Sequence, residues 1–308
     1  VTKVSVKARH YTDQPGFTED FFRVRDFLLR IHKPDYSDQN WLWARWEYMF
    51  SHPSLDESSL SRIGVWEDGD KVVALATYED KLGVAYFSLD RDYSFLKKEM
   101  VEYAMDYLSR VEEDGTRSLR AIINDDDTEM REIVAARGFS ITDRQDPITE
   151  FRVAGPFPDI TLPRGFELVS LAEENDLWKI EKVLWRGFDH PGEPPSDYIP
   201  GRLKMQSGPT FRKDLTVAVK APNGDFVSFC GMWHELGTDY AYVEPVATDP
   251  DYRRMGLGKA AVLEGIRRCL LQGASVAYVG STQPFYMNIG FKLVFTSHRW
   301  QWASGPNG

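Results

Sequence analysis

The sequence predicts an α/β protein built as two tandem domains. Three observations carry that reading. At 308 residues the chain has the length of two average domains, and each half is long enough to bury its own core. Apolar periodicity switches repeatedly between the period of a strand and that of a helix. The order of elements then restarts: superposing Gly138-Phe139 on Gly290-Phe291 aligns the halves element by element, with drift where loops differ in length. The predicted domains are 1–154 and 160–308, joined by the linker Ala154-Gly155-Pro156-Phe157-Pro158.

In the first half, Thr18-Glu19-Asp20 opens a helix, a capping residue followed by acids in the first turn. Phe21, Val24, Leu28 and Ile31 form its buried stripe. The aromatic run from Trp41 to Phe50 is expected in a core or domain interface rather than in an acceptor pocket. Residues 62–67 and 71–78 read as a hairpin across Asp68-Gly69-Asp70. A strand over 83–89, a helix over 94–110 and a short strand over 120–123 follow. Asp125-Asp126-Asp127 precedes a helix over 128–136 and reads as a solvated helix N-terminus rather than a metal cluster. A strand over 148–153 closes the half.

The second half repeats the order: a strand over 166–171, a helix over 173–187, and a hairpin of 215–220 with 226–234 across Pro222-Asn223-Gly224-Asp225. Next come the strand from Tyr240 to Thr248 and the turn Asp249-Pro250-Asp251. A helix then carries Val262, Ile266, Cys269 and Leu270 on one stripe and stops near Gly273. A strand over 276–279, the segment Tyr286–Phe291 and a last strand over 292–302 complete it; the tail 305–308 is expected to be loose.

The chemistry lies between the strand ending at Thr248 and the helix. Arg253-Arg254-Met255-Gly256-Leu257-Gly258-Lys259 combines two glycines, which let backbone approach a ligand, with three cations. The free N–H groups of a helix N-terminus add partial positive charge, so the joint is suited to a diphosphate. Two nucleotide motifs fail here. Gly256-Leu257-Gly258-Lys259-Ala260-Ala261 has the letters of a dinucleotide fingerprint, but Pro250 and two arginines separate it from the strand, and the next strand ends without an acid. The phosphate loop fails because Ala260 follows Lys259 and Arg253 stands where its first glycine belongs.

The pattern R-x-x-G-x-G, carried by Arg253, Gly256 and Gly258 after Val246-Ala247-Thr248-Asp249-Pro250, resembles the acyl-CoA signature of the GNAT acetyltransferase superfamily. Tyr286-Met287-Asn288-Ile289-Gly290-Phe291 is similar to its second signature, Y-x-x-x-G-F. These motifs cover about residues 165–302. The first half lacks both: Ser88–Ser94 has no glycine pattern and Val134 stands in the tyrosine's place. It resembles a degenerate copy, so one active site per chain is expected. The resemblance implies two GNAT-like domains, each a mixed, mostly antiparallel sheet flanked by helices.

It also implies acetyl-CoA as co-substrate. The pantetheine arm would run along Val246, Ala247 and Thr248, and the diphosphate would sit on Arg253, Arg254, Met255, Gly256, Leu257, Gly258 and Lys259. Tyr286 matches the acid that reprotonates the departing thiolate, the alternative being a packing aromatic. The lead-in to Tyr286 is shorter than the family's usual one, and Ser281 is a candidate for part of its role. The family's glutamate base would fall at Tyr242; Glu244, two residues on and the only carboxylate in the strand interior, is the candidate general base. Burial there would raise its pKa to a useful value. Pro245 warns of a disturbed strand, and a structural acid is the other reading. Trp185, Phe188, Asp189, His190, Tyr198, Trp233 and His234 are candidates for acceptor specificity. The expected reaction is N-acetylation of a small-molecule amine; a binding protein without turnover and an enzyme acting on a peptide or protein amine are the rivals.

A net charge of −10 argues against nucleic acid or an anionic membrane as partner, and it fits either a cationic acceptor or simple solubility. Cys230 and Cys269 read as reduced core residues, and no metal-ligand spacing is present, so no metal is expected. No signal peptide or spanning apolar run is visible, which gives a cytoplasmic expectation; a homodimer stays open.

Overall fold

The structure, a computed structural model, describes residues 6–36 and 38–305. The tail expectation for 306–308 lies outside them. Contacts divide the chain into two compact units, 1–147 with 294–308, and 148–293.

The first unit begins with β1 (Val6–His10), α1 (Glu19–Ile31) and α2 (Trp43–Ser51). Thr18 caps α1, its hydroxyl accepting from the Phe21 N–H at 3.3 Å. The aromatic run is the core of this unit. Trp43, Trp46, Met49 and Phe50 are buried; Trp46 packs on Phe21 and Phe50 and donates its indole N–H to the Phe21 carbonyl at 3.2 Å. The hairpin is β2 (Gly64–Asp68) and β3 (Lys71–Thr77), followed by β4 (Val84–Leu89). The predicted helix over 94–110 divides into a 3₁₀ stretch, Arg91–Leu96, α3 (Lys97–Tyr103) and a π turn, Ala104–Leu108. Then come β5 (Arg110–Val111), β6 (Arg117–Asn124), α4 (Thr128–Ala136) and β7 (Ser140–Arg152). Asp127 caps α4 and pairs with Lys97 at 2.7 Å, the role expected of the acidic triplet.

The second unit holds β8 (Glu167–Ser170), α5 (Leu177–Gly187), α6 (Ile199–Met205), β9 (Val217–Lys220), β10 (Phe226–Trp233), β11 (Tyr240–Thr248), α7 (Leu257–Leu270), β12 (Val276–Val279) and α8 (Pro284–Ile289). Its helix α5 starts at Leu177 rather than 173 because the Asp176 carboxylate takes the Trp178 and Lys179 N–H groups. The sheet runs β8-β9-β10-β11-β12, antiparallel except for β11 with β12, and the last residues of β7 pair with β12.

The final strand, β13 (Lys292–Ala303), corrects the predicted boundaries. Its residues from Val294 on belong to the first unit, where Ser297–Ala303 pair with Ser118–Asn124 of β6. Conversely, Thr149–Arg152 of β7 pair within the second unit. Each unit therefore completes its sheet with a strand that a cut in the linker would assign to the other half. Strand pairing at such sequence distance follows no local pattern, so linker composition could not reveal it.

The second sheet is deformed at one point. β10 and β11 pair as Cys230–Val246 and again as Met232–Val243, so Gly231 faces both Glu244 and Pro245, a β-bulge. A Cβ on Gly231 would lie 2.2 Å from the Glu244 carbonyl oxygen. Gly231→Ala should therefore destabilise the second unit by about 1–3 kcal/mol, the usual cost of overpacking. A urea titration against the wild type checks this.

Candidate active site

β11 and β12 pair from Tyr240–Val276 to Tyr242–Tyr278, and their registered pairing ends there. Beyond that point a cleft of about 870 Å³ opens within the second unit. It is lined by Tyr242–Thr248 of β11, by Arg253, Arg254 and Gly256–Lys259, by Val279–Ser281, and by Phe285 and Tyr286 of α8. Of the predicted site residues, Glu244, Val246, Ala247, Thr248, Arg253, Arg254, Gly256, Leu257, Gly258, Lys259, Ser281 and Tyr286 all line it. Met255 instead faces a smaller cavity on the other side of the turn, lined also by Asp159–Pro163.

Strand alternation gives the cleft its polar edge. Asp249 donates its N–H to the Val227 carbonyl on β10 at 3.0 Å. The N–H and C=O groups of Thr248 and Val246 then point away from β10, toward the cleft. At the end of β11 the Asp249 carboxylate caps the turn through the Asp251 N–H and binds Arg186 of α5. Burial alone would raise the Asp249 pKa, but Arg186 and the backbone N–H outweigh it and hold the group below the ordinary carboxylate range.

The glycine turn follows. Gly256 has φ of +82° and serves as the N-cap of α7, while Gly258 is required by contact: a Cβ there would lie 2.9 Å from Thr248 Oγ1 and 3.2 Å from the Phe285 ring. The first intrahelical bond runs from the Ala260 N–H to the Gly256 carbonyl at 3.0 Å. The N–H groups of residues 256–259 thus have no acceptor within the helix and stand at the cleft wall with Lys259. This seat fits a diphosphate in shape and charge. Arg253 is less available than its motif position suggests: it donates to the carbonyls of Thr248 (3.2 Å) and Gly187 (2.9 Å) and pairs with Asp189 at 2.8 Å. Its visible task is to tie the end of α5 to the turn.

At the other end of the cleft, Tyr286 is 8% exposed. Its phenol is pushed well above the ordinary tyrosine value, first by burial and then by the charges of Cys230 and Glu244. It is therefore a neutral O–H donor throughout the physiological range. Ser281 is turned to local work: its hydroxyl accepts from the Gln283 N–H at 3.2 Å and its carbonyl from Thr149 at 2.9 Å. Cys230 and Cys269 are buried free thiols, both raised by desolvation, Cys269 to about 12, so neither is an activated nucleophile. Among the described residues, no group of three or more His, Cys, Asp or Glu is placed to hold a metal, and no helix is long and apolar enough to cross a membrane.

Of the acceptor candidates, Phe188 and Asp189 line the cleft. Trp185 stacks on His190 at 4.3 Å and meets Tyr198 edge-on, outside the cleft lining. His234 is buried against the Tyr240 carbonyl, and Trp233 bonds the Glu244 carbonyl. Gly187, Tyr252, Gln283, Phe285, Asn288 and Ile289 also line the cleft and were not singled out by the sequence reading. The proximity of Asn288 and Phe285 to Tyr286 in the chain was the signal available for those two.

The corresponding joint of the first unit is closed. Asp90 caps its own turn and pairs with Lys71 at 2.8 Å, as Asp249 does with Arg186. A 3₁₀ helix then runs directly into α3, and the Lys97 N–H is already bonded to Ser94. The outward N–H and C=O of Leu89 are both taken by the Asn40 side chain, at 2.9 and 3.1 Å.

Two outcomes follow for stability. Gly256→Ala forces alanine into left-handed backbone and should cost about 1–2 kcal/mol. The Tm gap between wild type and Asp249→Asn should be full above about pH 5 and close as pH falls below about 4. The sign follows from a depressed folded-state pKa, whose stabilisation is present above the unfolded pKa and lost in acid. Scanning calorimetry across pH reads both.

Comparison with known proteins agrees with this geometry. Residues 177–291 match the model of the acetyltransferase (GNAT) family. A GCN5-related N-acetyltransferase from Sphaerobacter thermophilus superposes with a TM-score of 0.60 at 14% identity, covering 97% of this chain and 95% of that one. A tandem GNAT protein from the clavulanic acid biosynthesis pathway gives 0.62 at 13% identity, covering 98% and 99%. No curated protein matches the sequence significantly. The open strand pair and the glycine turn thus fall within the stretch that matches the acetyltransferase (GNAT) family model, and the whole chain shares the fold of these GNAT structures.

Proposed function

We propose that the second unit transfers an acetyl group from acetyl-CoA to the primary amine of a small molecule by direct attack. The observation that carries this reading is one cleft lined by the glycine turn with Lys259 and by both Glu244 and Tyr286. The backbone groups of Val246 and the N–H of Thr248 would pair with the amides of the donor's arm, as an added strand does. Residues 256–259 and Lys259 would hold the diphosphate, with Arg254 adding charge.

Glu244 would take a proton from the ammonium, directly or through water, leaving a neutral amine. The amine nitrogen then attacks the thioester carbonyl carbon; the C–N bond forms and the C–S bond breaks. Tyr286 would give its proton to the leaving thiolate and recover one from the amide nitrogen as that nitrogen loses its extra proton. The products are the acetamide and the free thiol, with one proton released to solvent overall. The tyrosine's raised pKa matters less than it would in water, because the same dry cleft also raises the basicity of the thiolate.

One acceptor cue supports an amine: Glu244 and Asp189 are the carboxylates of the cleft wall, and Asp189 already pairs with Arg253. Negative charge on that wall would draw a cationic acceptor into the cleft.

Calorimetric titration with acetyl-CoA should give one site per chain, abolished by Gly256→Glu. Two sites would mean that the first unit also binds. Tyr286→Phe should lower kcat by about 10²-fold or more while leaving donor affinity within about twofold. A chain that binds acetyl-CoA yet acetylates no amine in a broad screen would overturn the enzymatic reading.

A further inference from the structure

The bulge at Glu244 needs something to hold it. Pro245 has no N–H to offer the ladder, and Gly231 opposite contributes no side chain. The Glu244 carbonyl is instead bonded by the indole N–H of Trp233, two residues beyond Gly231 on β10, at 3.0 Å. Trp233 is itself held firmly: it is 4% exposed and meets Phe211 edge-on. Its backbone pairs with Tyr242, the residue at which β11 parts from β12. Trp233 thus fixes both the point where the cleft opens and the peptide that carries the candidate base.

We propose that Trp233 is a positioning residue for the transfer reaction, holding the Glu244 backbone so that its carboxylate reaches the acceptor amine. The inference rests on the reading of Glu244 as the base. Trp233 does not line the cleft, so it acts through Glu244 and not by touching the acceptor. The function suits an indole. A phenyl ring would fill most of the same space but lacks the N–H, and the Glu244 carbonyl would lose that donor.

The test is a double-mutant cycle with Trp233→Phe and Glu244→Gln. Trp233→Phe should lower kcat about tenfold, the scale of a small misplacement of a catalytic group, while the acetyl-CoA Kd stays within about twofold. In the Glu244→Gln background the same change should cost less than about twofold, because the group it positions is already gone. An equal loss in both backgrounds would assign Trp233 a merely structural role and overturn the inference, as would an unchanged kcat in the single variant. Should Trp233→Phe fold poorly, Phe211→Leu, which loosens the packing around the indole but keeps its N–H, serves as second probe. It should lower kcat in the same direction and lose that effect in the Glu244→Gln background; an equal effect in both would again overturn the inference. If wild-type protein acetylates amines and Glu244→Gln is as active as wild type, the base reading fails and this inference with it. If Glu244→Gln is inactive and Trp233→Phe is fully active, only this inference fails.

Discussion

The close approach of the Glu244 carbonyl to Gly231 is the constraint on which the second unit turns. With no side chain at Gly231, two residues of β11 can stand opposite one of β10. The strand bends there, and its pairing with β12 ends at Tyr242. What would otherwise be a closed parallel ladder becomes two strands that part, with the backbone groups of Val246 facing the cleft. Such groups are costly to leave buried and unsatisfied, and a cleft that admits water or an amide-bearing ligand resolves that cost. The candidate base and the open strand edge thus both lie at a single irregularity.

The two units give an internal control on what makes such a joint a binding site. Both end the relevant strand with an aspartate that caps a 3₁₀ turn, Asp90 and Asp249, and both pair that aspartate with a cation, Lys71 and Arg186. The frame is common to both. They differ only afterwards. In the first unit the 3₁₀ turn continues into α3 and spends its N–H groups on its own carbonyls, while Asn40 occupies the strand edge. In the second, the left-handed Gly256 interrupts the turn, and the helix starts with its N–H groups exposed. The candidate site is a helix whose first turn is left unsatisfied by its own backbone.

Local chemistry was legible in the sequence, and distant partnership was not. Gly256 and Gly258 are needed for different reasons, backbone conformation and close contact, but both reasons produce a glycine, so the motif shows plainly. Tyr286 and the apolar stripe of α7 are equally local. Arg253 shows the limit. Its charge and motif position suggest a ligand contact, yet its guanidinium is bonded to Gly187 and Asp189, more than sixty residues away in the chain. The helices α2 and α6 were not predicted as such, the first because its aromatics mask the period, the second because it is only seven residues long. Asp176 moved the start of α5 because a carboxylate at the cap competes with the residues before it.

The placement of the last strand bears on how such a chain can change over time. The first unit is not a continuous stretch, since residues after 293 complete it, and the second begins at 148, inside β7 and before the linker. A gene truncated at the linker would yield a first half lacking β13 and a second half lacking the end of β7, each with a raw sheet edge. The first half therefore cannot be shed by one cut at the linker without also removing Thr149–Arg152 from the second sheet.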